Sequence, residues 1–157
     1  MKVGVGADHG GFEMKGNLRG CSRRRVTKSL TLGTGSMTRT MTTRIFALPL
    51  ARAASCGEVE RGILVCGSGV GASIAANNVS GARAALCHDE FSARQGVEDD
   101  DLNILCFGGR TMGVVVAWDC TKSFLGAKFS GADRHRRRLG KVMQFEAGQT
   151  SASHNSK

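Results

Sequence analysis

The sequence predicts a doubly wound α/β fold in a single domain, a parallel sheet flanked by helices on both faces. Short apolar runs that each end in a polar or glycine-rich break are the first sign, because strands buried on both faces read as continuous apolar segments. Stretches of helical spacing between those runs are the second, since strand–helix alternation implies right-handed crossovers onto a parallel sheet. The third is size: a chain of 157 residues can bury roughly 70% of its unfolded surface in one core without staples.

The elements follow in order. Val3–Gly6 is the first apolar run, and Asp8-His9-Gly10-Gly11 breaks it. From Arg19 to Arg44 the chain is rich in Arg, Thr and Ser, with almost no apolar periodicity, and it resists assignment. Ile63–Cys66 is the next strand, followed by a glycine loop and helical spacing over Gly71–Asn77. Ala84–Cys87 and Ile104–Phe107 complete the strands, with helical spacing at Asp89–Val97 and Thr111–Phe129, and a basic helix from Asp133 to about Phe145. Residues 147–157, composed largely of Ser, Gln, Gly and Asn, read as a flexible tail beyond a domain at 1–146.

Composition excludes several classes. Hydrophobic residues are 41% and charged residues 22% of the chain, with a single proline and no tyrosine. Disordered, collagen-like and coiled-coil chains look different. No apolar run nears the roughly 20 residues of a membrane helix, and the expectation is a soluble, cytoplasmic protein without membrane contact. The six cysteines form no CxxC pair and no metal-finger spacing, so neither a disulfide framework nor a metal is expected.

The formal charge of +9 suggests nucleic-acid binding until it is located. No Asp or Glu falls between Glu13 and Glu58, whereas Lys15, Arg19, Arg23–Arg25, Lys28, Arg39, Arg44 and Arg52 all do. Outside that stretch the charges balance.

Four constellations carry chemistry. Cys66-Gly67-Ser68-Gly69-Val70-Gly71 joins a strand to a helix, and backbone N–H groups of such a loop form a site for a phosphate or a developing enediolate. The same positive field favours a thiolate at Cys66, making it a base or nucleophile; a tight turn with a buried Cys fits the pattern equally. The loop is neither a Walker loop nor a dinucleotide fingerprint. Asp8 and His9, at a strand's carboxyl end, suit acid/base work, or else an N-cap beside a surface His. Arg134 and Arg138 share a helix face at i and i+4, and with Arg110 suit a phosphate dianion; a solvated basic face is the plainer alternative. Glu98-Asp99-Asp100-Asp101 reads as a solvated loop of acids without companion ligands for a metal.

Together, KVGVGADHGGFEMKGNL, ERGILVCGSGVGASIAANNVSGARAALCHDEFSARQ, LNILCFGGRTMG and ADRHRRRLGKV resemble type B ribose-5-phosphate isomerase and its galactose-6-phosphate isomerase relatives. The resemblance implies a doubly wound, Rossmann-like fold, a homodimer or tetramer with sites between subunits, no cofactor or metal, and interconversion of an aldose phosphate with its ketose. It implies that Cys66 moves a proton between C1 and C2 through a cis-enediolate. Ser68 and the amides of Gly67, Gly69 and Gly71 would stabilise that enediolate. Asp8 and His9 would contact sugar and phosphate, and Arg110, Arg134 and Arg138 would bind phosphate, some across the dimer. A different sugar phosphate is the alternative within the class. From another class, a basic module using Arg23–Arg25 and Arg134–Arg138 would bind phosphate or nucleic acid.

The chain departs from the family pattern twice. Asp99-Asp100 stand where the family commonly has His-Asn, so Asp99 takes the ring-opening role, with Asp100 at the substrate, or the preferred sugar differs. Residues 18–46 replace a helix, a strand and an acidic, tyrosine-containing loop. Back-translating Met37 to Phe46 and regrouping one base earlier yields Tyr-Asp-Pro-Asp-Asp-Asp-Tyr-Pro-Asp-Phe, a family-like loop. A frame left near Leu18 and regained near Ala47 is therefore expected. That segment would then be foreign to the fold, the first strand would lose its neighbour, and nucleic-acid binding would lose its main support.

Overall fold

The computed structural model of the chain describes residues 1–8, 28–32 and 43–154. His9, residues 10–27 and 33–42, which include most of the atypical segment, and 155–157 lie outside the described residues. Five strands, β1 (Lys2–Ala7), β2 (Lys28–Leu32), β3 (Arg61–Cys66), β4 (Ala84–Leu86) and β5 (Ile104–Gly108), form one sheet in the order β2-β1-β3-β5-β4. All neighbours are parallel. The described helices are α1 (Thr43–Ser55), α2 (Val70–Asn77), α3 (Glu90–Asp100), α4 (Val114–Gly126) and α5 (Asp133–His154).

Side-chain alternation along the strands builds two cores. Ile63 and Val65 of β3, with Leu105 and Phe107 of β5, face α3 and α4 and pack with Val97 and Phe124. Leu64 and Cys66, with Ile104 and Cys106, face α1 and α2 and pack with Phe46, Leu50 and Ala76. The doubly wound architecture is thus as the alternation predicts. On the α1 side β1 presents Gly4, where a Cβ would collide with Leu50, so the missing side chain lets α1 approach the sheet.

Three expectations need correction. β1 keeps a neighbour: β2 pairs with it from Lys2↔Lys28 to Gly6↔Leu32. A parallel ladder uses backbone groups that every non-proline residue carries, so an unfamiliar sequence can still supply it. The second concerns Glu98 to Asp101, which do not form a loop. Glu98, Asp99 and Asp100 are the last turn of α3, and Asp101 is its left-handed C-cap with φ 51°. Acids disfavour a helix C-terminus, but here the N–H groups of Asp101 and Leu102 donate to the carbonyls of Val97 and Gly96 at 3.2 and 3.0 Å. Arg83 pairs with the Asp101 carboxylate at 2.6 Å. The third is the tail, since α5 runs on through residue 147 to His154.

α1 was not apparent in the sequence. Phe46, Leu50 and Ala54 recur at helical spacing and are all buried, but Pro49 sits between them and a proline inside a helix normally argues against one. No described helix is long and apolar enough to cross a membrane.

Candidate active site

Doubly wound sheets bind ligands outside the carboxyl ends of their strands, at the point where successive connections leave in opposite directions. That point lies between β1 and β3, since β1 is flanked by β2 on one side and β3 on the other. Asp8 follows β1 and is buried, and its N–H donates to the carbonyl of Val65 at 3.2 Å, which fixes it beside the end of β3. Cys66 is the last residue of β3 and is only 3% exposed.

The loop after Cys66 is clamped by close backbone contacts. Gly69 has φ 81°, and a Cβ there would lie 2.8 Å from the carbonyl carbon of Phe107. A Cβ at Gly108 would lie 2.7 Å from the Ser68 carbonyl. The loop after β5 completes the clamp, with Gly109 N–H donating to Cys66 O at 2.8 Å and Arg110 N–H to Gly67 O at 3.0 Å. The Arg110 side chain lies alongside Gly67, whose Cβ position is 3.9 Å from Arg110 Cδ.

This geometry turns the N–H of Gly69 onto the Cys66 sulfur at 3.1 Å. A donor aimed at a sulfur solvates negative charge on it. The N–H groups of Val70 and Gly71 open α2 and have no carbonyl one turn earlier in that helix to accept them, so they and the exposed Ser68 hydroxyl remain for a ligand oxygen. Cys87, Cys106 and Cys120 are also buried. Burial pushes the Cys87 thiol up to about 11 and the Cys120 thiol up to about 11. Burial, with Cys66 nearby, raises the Cys106 thiol further. Those three are small hydrophobes, as cysteines within apolar runs usually are. The described cysteines, Cys56, Cys66, Cys87, Cys106 and Cys120, are all free.

Asp8, Cys66, Gly67, Ser68, Gly69, Gly71 and Arg110 therefore converge at the carboxyl end of the sheet. The remaining described candidates do not join them. α3 leaves the carboxyl end of β4 and its 11 residues span roughly 16 Å. Asp99 and Asp100 thus arrive at the amino end of β5. There Leu102 accepts a hydrogen bond from Arg61, the first residue of β3. Asp100 and Arg138 line a cavity of about 440 Å³ with Asn77, Arg83, Leu102 and Val142.

Asp99 and Arg134 meet through His135, which the sequence did not single out. His135 is 2% exposed. Its Nδ1 lies 2.8 Å from Ser130 Oγ and 3.4 Å from Asp99 Oδ1, while Arg134 Nε donates to its Nε2 at 2.8 Å. A histidine inside an arginine run is the sequence signal, but its carboxylate partner stands far away in the chain. Among the described residues no group of three or more His, Cys, Asp or Glu is placed to hold a metal ion.

Comparison with known proteins agrees with this arrangement. Residues 3–142 match the family model described as Ribose/Galactose Isomerase. The chain is 37% identical over 145 residues to ribose-5-phosphate isomerase B of Escherichia coli (strain K12), covering 92% of this chain and 96% of that one. It is 31% identical over 148 residues to D-erythrulose-4-phosphate isomerase 2 of Mycolicibacterium smegmatis, covering 93% and 97%. The solved structure of Clostridium thermocellum ribose-5-phosphate isomerase B superposes with a TM-score of 0.89 at 39% identity, covering 95% of this chain and 99% of that one. That of the Trypanosoma brucei type B enzyme gives 0.86 at 41%, covering 91% and 97%. With the sheet order, the clamped cysteine loop and these likenesses in agreement, the chain belongs to the ribose/galactose isomerase family and is a sugar-phosphate isomerase of the type B ribose-5-phosphate isomerase kind.

Proposed function

We propose that the protein interconverts ribose 5-phosphate and ribulose 5-phosphate, with Cys66 as the base. The observation that carries this reading is the hydrogen bond from Gly69 N–H to Cys66 Sγ in a loop fixed on both sides. The Cys66 thiolate removes the C2 proton of the open-chain aldose while the carbonyl oxygen at C1 becomes an oxyanion. The resulting cis-enediolate is held by the Gly71 amide and the Ser68 hydroxyl. The C2 hydroxyl proton passes to the C1 oxygen, the thiol returns its own proton to C1, and the C2 oxygen becomes the ketose carbonyl, leaving the thiolate restored. Donors preorganised at the position where charge develops typically lower such barriers by about 3–4 kcal/mol each. Gly69 acts on the sulfur instead of the substrate oxygen, and Gly67 lets Arg110 lie close to the loop.

Asp8 and His9 orient the sugar hydroxyls, and Arg110 meets the phosphate. Arg134 and Arg138 complete the phosphate site, and Asp100 contacts the sugar, from a second copy of the chain. Within one chain they stand at the opposite end of the sheet from Cys66, so a homodimer with sites between subunits supplies them. Val70 and Ile74 on α2 and Val142, Met143 and Phe145 on α5 are exposed apolar side chains that such an interface would cover. The protein acts in the cytoplasm, where pentose phosphates are metabolised.

The test is conversion of ribose 5-phosphate by the purified protein. Cys66→Ala should abolish turnover while binding of inorganic phosphate survives; turnover persisting in that variant sinks the assignment. A second reading has its own support. Asp99-Asp100 replace the family's common His-Asn, and a relative is named for erythrulose 4-phosphate. A different sugar phosphate as the preferred substrate would appear as a higher kcat/KM in a panel of tetrose, pentose and hexose phosphates.

A further inference from the structure

Asp99 occupies the position at which ring opening is expected of a family member, yet its carboxylate faces away from any such task within its own chain. Its neighbour is the buried ring of His135, and that ring faces three groups: Asp99, Ser130 and Arg134. Their donor and acceptor capacities settle the ring's protonation pattern. The Arg134 Nε carries a hydrogen and no lone pair, so His135 Nε2 must accept. A neutral imidazole that accepts at Nε2 carries its proton on Nδ1, and the Asp99 carboxylate, 3.4 Å from Nδ1, favours that form electrostatically. Ser130 Oγ can do either and decides nothing alone. The competing form has Ser130 donating to Nδ1 and the proton on Nε2, which breaks the Arg134 bond; a carboxylate beside Nδ1 disfavours that form.

We infer that Asp99 is a positioning residue: it fixes the Nδ1–H tautomer of His135, and His135 in turn holds the phosphate-binding guanidinium of Arg134. This rests on the isomerase reading for what Arg134 binds. A guanidinium held through Nε keeps both terminal nitrogens free, which are the atoms that form a two-point contact with phosphate. It also loses less rotamer freedom when the anion arrives. The second carboxylate of the site, Asp100, is not part of this chain of contacts; it lines the neighbouring cavity.

Two measurements on the full-length protein test the inference. In the first, nitrogen-15 NMR of the imidazole reads the tautomer directly. Wild type should show Nδ1 protonated, and Asp99→Ala should show a mixture of tautomers. An unchanged tautomer in Asp99→Ala overturns the inference, and does so without reference to catalysis. In the second, inorganic phosphate is titrated calorimetrically. Arg134→Ala and His135→Phe should each weaken it on the order of tenfold, the equivalent of one charge-assisted hydrogen bond. The double variant should be no weaker than Arg134→Ala alone, because a positioning residue has nothing left to position. His135→Gln, whose amide oxygen reaches the Nε2 position, should stay within about threefold of wild type. Independent, multiplying losses, or a His135→Gln as weak as His135→Phe, overturn the relay. If His135→Phe does not fold, Asp99→Ala carries the same titration, with a severalfold loss expected and no loss counting against the inference. Phosphate binding that ignores Arg134→Ala would instead show that the isomerase reading misassigns Arg134, a distinct failure.

Discussion

Gly69 donates its backbone N–H to the sulfur of Cys66 at 3.1 Å from a left-handed conformation, with φ 81°. An L side chain is strained in that region and would also strike Phe107. Gly69→Ala should cost about 1–3 kcal/mol of stability through strain, read from the denaturant midpoint. Isomerase kcat should fall by a larger factor than the stability loss alone would produce, because the loop must shift away from the sulfur.

Asp101 tests whether the C-terminus of α3 depends more on its backbone or on its ion pair. Asp101→Gly relieves the left-handed residue but removes the partner of Arg83, and should stay within about 1 kcal/mol of wild type. Asp101→Val places a β-branched side chain at φ 51° and should cost about 2 kcal/mol or more. Urea midpoints of the two variants check the order, and an equal loss in both would mean the ion pair dominates.

Alkaline titration should expose the buried thiols. Cys87 is raised by burial from 9.0 to about 11, so above pH 9 the unfolded chain releases a proton that the folded chain retains. Stability is full below that range and declines as pH rises through about 11. Cys87→Ala should flatten the decline, measured as urea midpoint against pH.

At the N-terminus of α3 the sign reverses. The Asp89 carboxyl is held below its ordinary value first by the Ser92 backbone N–H and then by the Ser92 hydroxyl. Its contribution is present above pH 3.8 and is lost as pH falls through the depressed value. Asp89→Ala should melt earlier than wild type at neutral pH, Asp89→Asn should recover most of the loss, and the difference should vanish in strong acid.

The nucleotide sequence across codons 15–50 checks the origin of the atypical segment. A one-base insertion with a compensating deletion is expected, and the intact mass of the expressed protein should then differ from that of this chain. DNA and mass that both match the chain as written would overturn the shifted-frame origin.

Legibility followed the range of the interactions. β3 and β5 were readable because their apolar runs are local, and the Cys66 loop because its glycines lie within a few residues of each other. β2 and α1 were not: one lies in a basic stretch without periodicity and the other carries Pro49. The helical end at Glu98 to Asp101 was misread because consecutive acids disfavour a helix C-terminus, and the charge that offsets one of them, Arg83, lies on another loop. The meeting of Asp99 with His135 was invisible for the same reason.

The insertion of β5 between β3 and β4 has a consequence for synthesis of the chain. β4 pairs with β5, and the loop after Cys66 rests on Phe107 and Gly108. A nascent chain that has emerged only as far as α3 thus holds an unpartnered β4 and an unsupported cysteine loop. The cysteine loop and the unpaired strand edges become protected together, when the last strand slides into the gap left for it. A stall before Phe107 would leave the loop and the strand edges exposed together, whereas a stall just after Gly108 would leave exposed the sheet face that α4 covers.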